Sequence, residues 1–340
     1  MSEQVASAIR ATIHDRGPIT FAEFMELALY GAGGYYERPP VGASGDFVTS
    51  PHVHDVFGAM LAGAVRTMHR MLGSPTPLRM VEAGAGDGTL AAQLLAGLDG
   101  IVVDYAAVDV SRGSRDALAA VQGVRVADDL GGEPHVVVAN ELLDNLPFRR
   151  VRGGREVRID VDDSGRFVER ETPWEGAPGP AGRETIVYTG ALAFIDRLAS
   201  GLKRGYALLI DYGHTSSPGG DVHGYRDHHV IENVLSDPGS VDITVGVDFS
   251  AIADRAQERG LVAYPTVTQH DALIALGFET WLRDELGRQV GLLDAREGLE
   301  AARAWGGRSR ATLLVDPAAL GRLRWLVLAS PDLPAPTWLS

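Results

Sequence analysis

Two short segments concentrate the residue types that can do chemistry in this chain. Glu82-Ala83-Gly84-Ala85-Gly86-Asp87-Gly88 sets three glycines among carboxylates, and Asn140-Glu141-Leu142-Leu143-Asp144-Asn145-Leu146-Pro147 gathers amides and acids behind an apolar run. Alternating glycines permit a tight turn and the close approach of a ligand to the backbone. The turn alone leaves open a dinucleotide site of the dehydrogenase kind, and equally a packed turn with no ligand. Two charges lean toward a sulfonium, hence S-adenosyl-L-methionine. Glu82 stands two residues before Gly84, where it meets a cation and repels a pyrophosphate, and Asp87 adds negative charge inside the turn.

Asp109, at the end of the next apolar run, is placed to accept both hydroxyls of a ribose, a role common to nicotinamide and adenosylmethionine enzymes. Asp128 and Asp129 follow the third run, in reach of an adenine amino group; an exposed turn or a helix cap explains them equally well. Methyl transfer is an in-line displacement, so an enzyme must hold the nucleophile aligned and about 3 Å from the methyl carbon. Asn140, Glu141 and Asp144 stand where that transfer would occur. Carboxylates there can grip a guanidinium or take a proton as its nitrogen attacks. The alternative is a helix N-cap formed by Asn140 or Asp144.

These clusters need elements to position them. Residues 79–83, 101–110, 124–127 and 135–140 read as strands, with helices over 89–98 and 114–121 between them. This alternation predicts an α/β fold with a mostly parallel, doubly wound sheet, whose ligands sit beyond the C-terminal strand ends. Residues 142–171 read as strands around a Gly153-Gly154 turn, 173–182 as a loop, 189–202 as a helix and 207–210 as a further core strand. Helices are expected over 249–260 and 271–282, and a last strand over 325–329. Upstream, 4–14 and 21–30 show helical spacing, with Thr20 and Glu23 spaced as a capping box. Residues 31–51 form a glycine- and proline-rich segment with Tyr35, Tyr36 and Phe47, expected to be an ordered loop, and 52–72 resumes as helix. The organisation expected is an N-terminal helical cap with a cofactor-covering loop (1–77) on a catalytic domain (78–340), which carries substrate-side insertions at about 214–320.

Composition removes several classes of function. There is no cysteine, which excludes disulfides, thiolate metal sites and cysteine nucleophiles. Net charge is −14 and no segment has a dense basic face, so a nucleic-acid partner is not expected; the arginines at 149–158 read as a solvated strand and turn. No stretch approaches the ~20 apolar residues that span a bilayer. Early charges such as Glu3, Arg10 and Asp15 are unlike a secretory leader, so a soluble, cytoplasmic protein is expected. His52, His54, His214, His223, His228 and His229 match no metal-ligand spacing, and no metal is expected. A homodimer is compatible with all of this.

A wider set of motifs resembles the MidA family of methyltransferases, which includes mitochondrial complex I assembly factors. They run from Gly17-Pro18-Ile19-Thr20-Phe21-Ala22-Glu23-Phe24-Met25 and Gly45-Asp46-Phe47-Val48-Thr49-Ser50-Pro51, through the glycine turn, to the segment after Asn140 and Asp211-Tyr212-Gly213. Gly224-Tyr225-Arg226, Asp242-Ile243-Thr244, Val247-Asp248-Phe249 and Thr268-Gln269 extend the likeness. It implies a class I methyltransferase (Rossmann-like) fold using S-adenosyl-L-methionine, and a protein arginine as acceptor. It also implies that the loop through Thr49, Ser50 and Pro51 closes over the cofactor and that Asn140 and Glu141 line the transfer site. Asp211, Tyr212 and Tyr225 are taken as substrate contacts. Two rivals remain: an assembly factor that kept the fold and lost turnover, and an NAD-dependent oxidoreductase. The chain departs from the family pattern at the glycine turn, where Ala85 and Asp87 replace Pro and Arg, and after Pro51, where His52 replaces an acid.

Overall fold

Val136-Val137-Val138-Ala139 is apolar without alternation, the pattern of a strand covered on both faces. In the computed structural model, which describes residues 2–37, 49–176, 184–215, 222–226 and 229–339, that run lies in the centre of the main sheet. We label the long strands of this sheet in chain order: β1 (Leu78–Ala83), β2 (Val103–Val108), β3 (Val124–Ala127), β4 (Val136–Asn140), β5 (Tyr206–Asp211) and β6 (Arg324–Ala329). Their spatial order is β6-β5-β4-β1-β2-β3, parallel throughout except for β6, which runs antiparallel to β5. Val262–Ala263 and Val267–Thr268 pair with the outer side of β6. The chain moves outward from β1 to β3 and then returns to β4 on the other side of β1. The β1/β4 boundary is therefore the switch point, and the loops after these two strands splay apart to make a crevice.

Alternate residues of each strand feed opposite faces. Val81, Val137 and Leu209 pack with Phe194, Ile195 and Ile252 of the helices Thr189–Gly201 and Phe249–Glu258. Met80, Val138 and Leu208 pack with Phe57, Leu61, Leu90 and Leu94 of the helices Val56–Met71 and Thr89–Gly97. Both faces are covered, so the strand ends are left as the place for chemistry.

The arginine-rich stretch builds a second, antiparallel sheet. Arg155–Val161 pairs with Arg149–Arg152, Phe167–Pro173 and Ile19–Thr20, and Glu184–Val187, unforeseen as a strand, completes it. Its arginines face acids on neighbouring strands: Arg150 binds Glu169 at 2.6 Å and Arg152 binds Glu184 at 2.7 Å. The basic cluster is thus neutralised within its own sheet. Phe21 and Phe24 of the N-terminal region are fully buried in the core that also holds Phe148 and Ile159. The Thr20–Glu23 capping box forms in both directions.

Elements differ from expectation at three breaks. The helix over 21–30 is α-helical to Met25 and π-helical over Glu26–Tyr30, a distortion common at functional sites. The helix over 52–72 is two helices, Ser50–Val53 and Val56–Met71, because His54 is extended and its Nδ1 accepts from the Val56 N–H. The helix over 271–282 also divides, into Gln269–Ala275 and Phe278–Asp294, at Gly277 with φ +101°. Gly298–Ala311, not foreseen, forms a hairpin with the second of these. Within the insertion expected at about 214–320, His223–Arg226 pairs with His229–Ile231 and Asp242–Thr244. The expected loop at 173–182 lies largely outside the described residues. No described helix is long and apolar enough to cross a membrane.

Candidate active site

The three glycines after β1 adopt positive φ for different physical reasons. A Cβ at Gly88 (φ +83°) would meet Val121 Cγ2 at 2.7 Å, so this glycine lets the Thr89–Gly97 helix pack closely. A Cβ at Gly84 (φ +70°) would meet Leu142 Cδ1 at 2.9 Å, in the loop after β4. At Gly86 (φ +56°) nothing lies within 4 Å. Gly84 and Gly86 line a cavity of about 1540 Å³, more than a single small ligand needs. Asp109 lines it too; its carboxylate accepts from the Gly86 N–H (2.9 Å) and the Ser111 N–H (2.8 Å). Burial raises the Asp109 pKa, and those N–H donors oppose the rise.

The end of β4 carries two acids, Glu141 half-buried and Asp144 buried. Glu141 has φ +53°, a left-handed conformation that costs a non-glycine residue about 1–3 kcal/mol. It is held there by its N–H, which donates to Ile210 O (2.8 Å) on β5. Its Oε1 accepts from the Ser50 N–H (3.3 Å) and from Asn140 Nδ2 (3.1 Å). Burial, then the charge of Asp144, pushes its pKa up to about 7 against those two donors. Asp144 Oδ2 accepts from the Thr244 hydroxyl (2.9 Å), and burial raises its pKa to about 6. Asp144 Oδ1 and Asn140 Oδ1 are buried with no hydrogen-bond partner among the described residues.

Asp211 holds this loop in place. Its Oδ2 accepts from the N–H groups of Leu143 (2.7 Å) and Asp144 (3.3 Å), and its Oδ1 from the Tyr212 N–H (2.8 Å). Burial, then Asp144 and Glu141, raises its pKa well above the usual carboxylate range. A wall unforeseen in the sequence comes from Tyr30, at the end of the π-helical turn, and Tyr36. Their rings stack at 5.4 Å; Tyr30 donates to Asn145 O (3.1 Å) and Tyr36 to Asp242 Oδ1 (2.8 Å). The Tyr35-Tyr36 and Asp242-Ile243-Thr244 motifs were the available signals for this wall. Ser114, Arg197, Arg322 and Arg324 also line the cavity and carried no signal in the sequence.

The expected site residues sort by placement. Gly84, Gly86, Asp109, Asp128, Asp129, Thr49, Glu141, Asp144, Tyr212 and Tyr225 share the cavity. Asp128 also pairs with Arg115 at 2.7 Å, and Asp129 accepts from the Gly131 N–H. The others stand behind its wall. Glu82 is buried under the sheet with Oε2 on the Tyr105 hydroxyl, and burial raises its pKa to about 8. It is mostly neutral at pH 7 and outside the lining, so the inference from its charge to a sulfonium is corrected. Asp87 also turns away from the cavity. Burial would raise its pKa, but His52 and the Thr89 N–H hold it at about 2. Gly88 serves packing, and Asp211 supports the loop after β4. Ser50 bonds Glu141 and Gln269, while Pro51 O accepts from Gln93. Asn140 lies beside the lining and reaches it through Glu141. The Gly45-Asp46-Phe47-Val48 part of the expected covering loop is outside the described residues. His228 lies outside the described residues, and among the described ones no group of three or more potential metal ligands occurs.

The two departures from the family pattern meet in space. His52 bridges Thr49 Oγ1 and Asp87 Oδ2, each at 2.9 Å, and so ties the start of the Ser50–Val53 helix to the glycine turn.

A β6-β5-β4-β1-β2-β3 sheet with a glycine turn after β1 and an acid after β2 defines a class I methyltransferase fold. The chain belongs to the Methyltransf_28 family, whose profile, described as "Putative S-adenosyl-L-methionine-dependent methyltransferase", matches residues 60–267. It is 30% identical to "Protein arginine methyltransferase NDUFAF7, mitochondrial" of Mus musculus, over 83% of this chain and 77% of that one. It is 28% identical to the protein of the same name in Danio rerio, over 82% and 76% of the two chains. A COG1565 superfamily member from Burkholderia thailandensis, solved with S-adenosyl-homocysteine bound, superposes with a TM-score of 0.84 at 30% identity, covering 99% of this chain and 94% of that one. The MidA resemblance and the S-adenosyl-L-methionine-dependent class are thereby borne out.

Proposed function

We propose that this protein transfers a methyl group from S-adenosyl-L-methionine to an arginine side chain of another protein. The observation that carries the reading is Glu141: a strained, half-buried carboxylate with its pKa raised to about 7, on the cavity wall next to Asp144. A group poised near the working pH is suited to take a proton during transfer.

The residues present fit the cofactor. Asp109 would hold the ribose hydroxyls, the backbone at Gly84 and Gly86 would face the amino-acid part, and Asp128 or Asp129 would meet the adenine. The orphaned oxygens of Asn140 and Asp144 supply acceptors for its cationic groups. S-adenosyl-L-methionine supplies an electrophilic methyl group. Glu141 and Asp144 would orient the acceptor guanidinium, and Glu141 would take up the proton that the acceptor nitrogen loses on methylation. Tyr212 and Tyr225 flank the acceptor side. We retain residues 1–77 as the cap and about 214–320 as substrate-side insertions. The reading is supported by Tyr30, Tyr36 and Thr49 from the first and His214, His223, Tyr225 and Asp242 from the second, all in the cavity wall. The cytoplasmic location is retained on composition alone.

Calorimetry separates the cofactor classes: S-adenosylhomocysteine should bind and NADH should not, and the reverse result overturns the reading. Labelled methyl transfer to a lysate protein separates an enzyme from an inactive assembly factor, for which cofactor binding would persist without transfer.

A further inference from the structure

We propose that Arg324, Arg322 and His214 form a carboxylate-binding site at the far end of the cavity, so that the preferred acceptor carries an anionic group close to its methyl-accepting cation. This inference rests on the methyltransferase reading above and specifies which acceptors it favours.

The cavity is electrically divided along the strand order. Asp109 follows β2 and Glu141 and Asp144 follow β4, whereas Arg324 opens β6 and His214 follows β5. With neighbouring strands about 4.8 Å apart, β6 stands about 10 Å from β4 and about 19 Å from β2. The basic end is therefore on the acceptor side, beyond the transfer acids and away from the nucleoside end.

The polar groups at this end lack partners. Arg324 Nε and both ring nitrogens of His214 are buried with no hydrogen-bond partner among the described residues. Arg322 lays its guanidinium over the Tyr212 ring, 5.5 Å from the centroid, which fixes its plane and leaves its N–H edge available. No described carboxylate forms an ion pair with either arginine. Arg150, by contrast, is paired with Glu169 and Glu184, and Arg255 with Asp196. Even Asp211, directly across from Arg324 in the β5/β6 register, spends its oxygens on the backbone of residues 143, 144 and 212. Orphaned donors in one wall are costly unless a ligand brings acceptors. A carboxylate matches a guanidinium edge by two parallel hydrogen bonds, and the imidazole adds a third donor. An acceptor with a cation near Glu141 and a carboxylate about 10 Å away spans the two ends, a separation that a basic residue and a nearby acidic side chain or chain terminus can reach.

The test uses the full chain saturated with S-adenosylhomocysteine and three peptide probes titrated by calorimetry. Acetyl-Gly-Arg-Asp-Gly-amide carries a side-chain carboxylate, acetyl-Gly-Arg-Gly with a free terminus carries a main-chain one, and acetyl-Gly-Arg-Asn-Gly-amide carries neither. At least one carboxylate peptide should bind about tenfold tighter than the neutral one, and the arm that does so names the source. Arg324→Gln and the exposed-side variant Arg322→Ala should each remove that preference while S-adenosylhomocysteine affinity stays within about twofold. Equal binding of the three peptides, or binding of none, overturns the proposal. So does a parallel loss of S-adenosylhomocysteine affinity in both arginine variants, which would make the cofactor's own carboxylate the ligand. Failure of S-adenosylhomocysteine to bind the unaltered protein would overturn the methyltransferase reading and this inference with it.

Discussion

The two sides of the β1/β4 crevice are made by opposite means. After β1, a seven-residue stretch builds the surface from its own backbone: the positive-φ glycines turn the chain, and their N–H groups are held by Val108 O, the Asp109 carboxylate and Ala85 O. After β4, the surface is made of charged side chains that local sequence cannot hold. Glu141 depends on Ser50, 91 residues away; Leu143 depends on Asp211, 68 away; Asp144 depends on Thr244, 100 away. The proposed cofactor side is a piece of local geometry, and the proposed transfer side is a product of the whole fold. A backbone surface is rigid and cannot titrate. A surface of buried and half-buried carboxylates can take up a proton near neutral pH, which the proposed transfer step uses.

That contrast can be broken most sharply at Glu141. Glu141→Ala should cut methyl transfer by about 10²–10⁴-fold while S-adenosylhomocysteine binds within a few-fold of the parent. Intact turnover would remove the transfer side from the account. Asp109→Ala should invert the pattern, weakening cofactor binding by about 10–100-fold through lost charge-assisted hydrogen bonds. An affinity unchanged by calorimetry would mean that the ribose is held elsewhere.

The glycine turn should separate within itself. Gly86→Ala and Gly88→Ala both force a side chain into positive φ, at about 1–2 kcal/mol each. Only Gly88→Ala also drives a Cβ into Val121 and Leu118. Thermal melts should therefore show the larger loss for Gly88→Ala and titrations the larger affinity loss for Gly86→Ala. Equal losses in both assays would count against the distinct roles given to the two glycines.

The smallest expected effect is a pH trend from the acid side. Glu82, Glu141 and Asp144 titrate near 8, 7 and 6, all above ordinary carboxylates. The folded chain thus holds protons that the unfolded chain releases. Their contribution to stability is complete below about pH 4 and is lost as pH rises through 6 to 8. Asp87, held at about 2, works the other way: its contribution is present above about pH 4 and fades only in stronger acid. The melting temperature of the cofactor-free protein should fall between about pH 5 and pH 8.5, and Glu82→Gln should flatten the upper part of that fall. A melting temperature that rises across this window would contradict the assignment.

The same contrast explains what could be read from sequence. The strands, their parallel order and the glycine turn are encoded by short-range periodicity and by glycine spacing, so they were legible. Asp109 was legible because strand-end positions are fixed by the same periodicity. Glu82 and Asp87 were read as ligand-facing because an acid near a glycine turn looks available. The fold instead turns Glu82 under the sheet onto Tyr105 and commits Asp87 to His52. The wall of Tyr30, Tyr36, Asp242 and Thr244 was not legible, since its members are more than 200 residues apart and meet only when three elements pack. Arg322 and Arg324 were hidden for a related reason: an arginine at a strand start is ordinary until its neighbours are known to leave it unpaired. The His52–Asp87 contact shows the converse. Two positions that looked independent in sequence make one contact in space.

The central claim is that the carboxylates after β4 serve methylation of a protein arginine. It is tested most directly by incubating the protein with lysate and S-adenosyl-L-methionine carrying a trideuterated methyl group, then locating the label by tandem mass spectrometry. The account predicts trideuteromethyl on an arginine side-chain nitrogen, absent when Glu141→Gln protein replaces the parent. Label confined to another residue type, or arginine label undiminished in the Glu141→Gln sample, would contradict it.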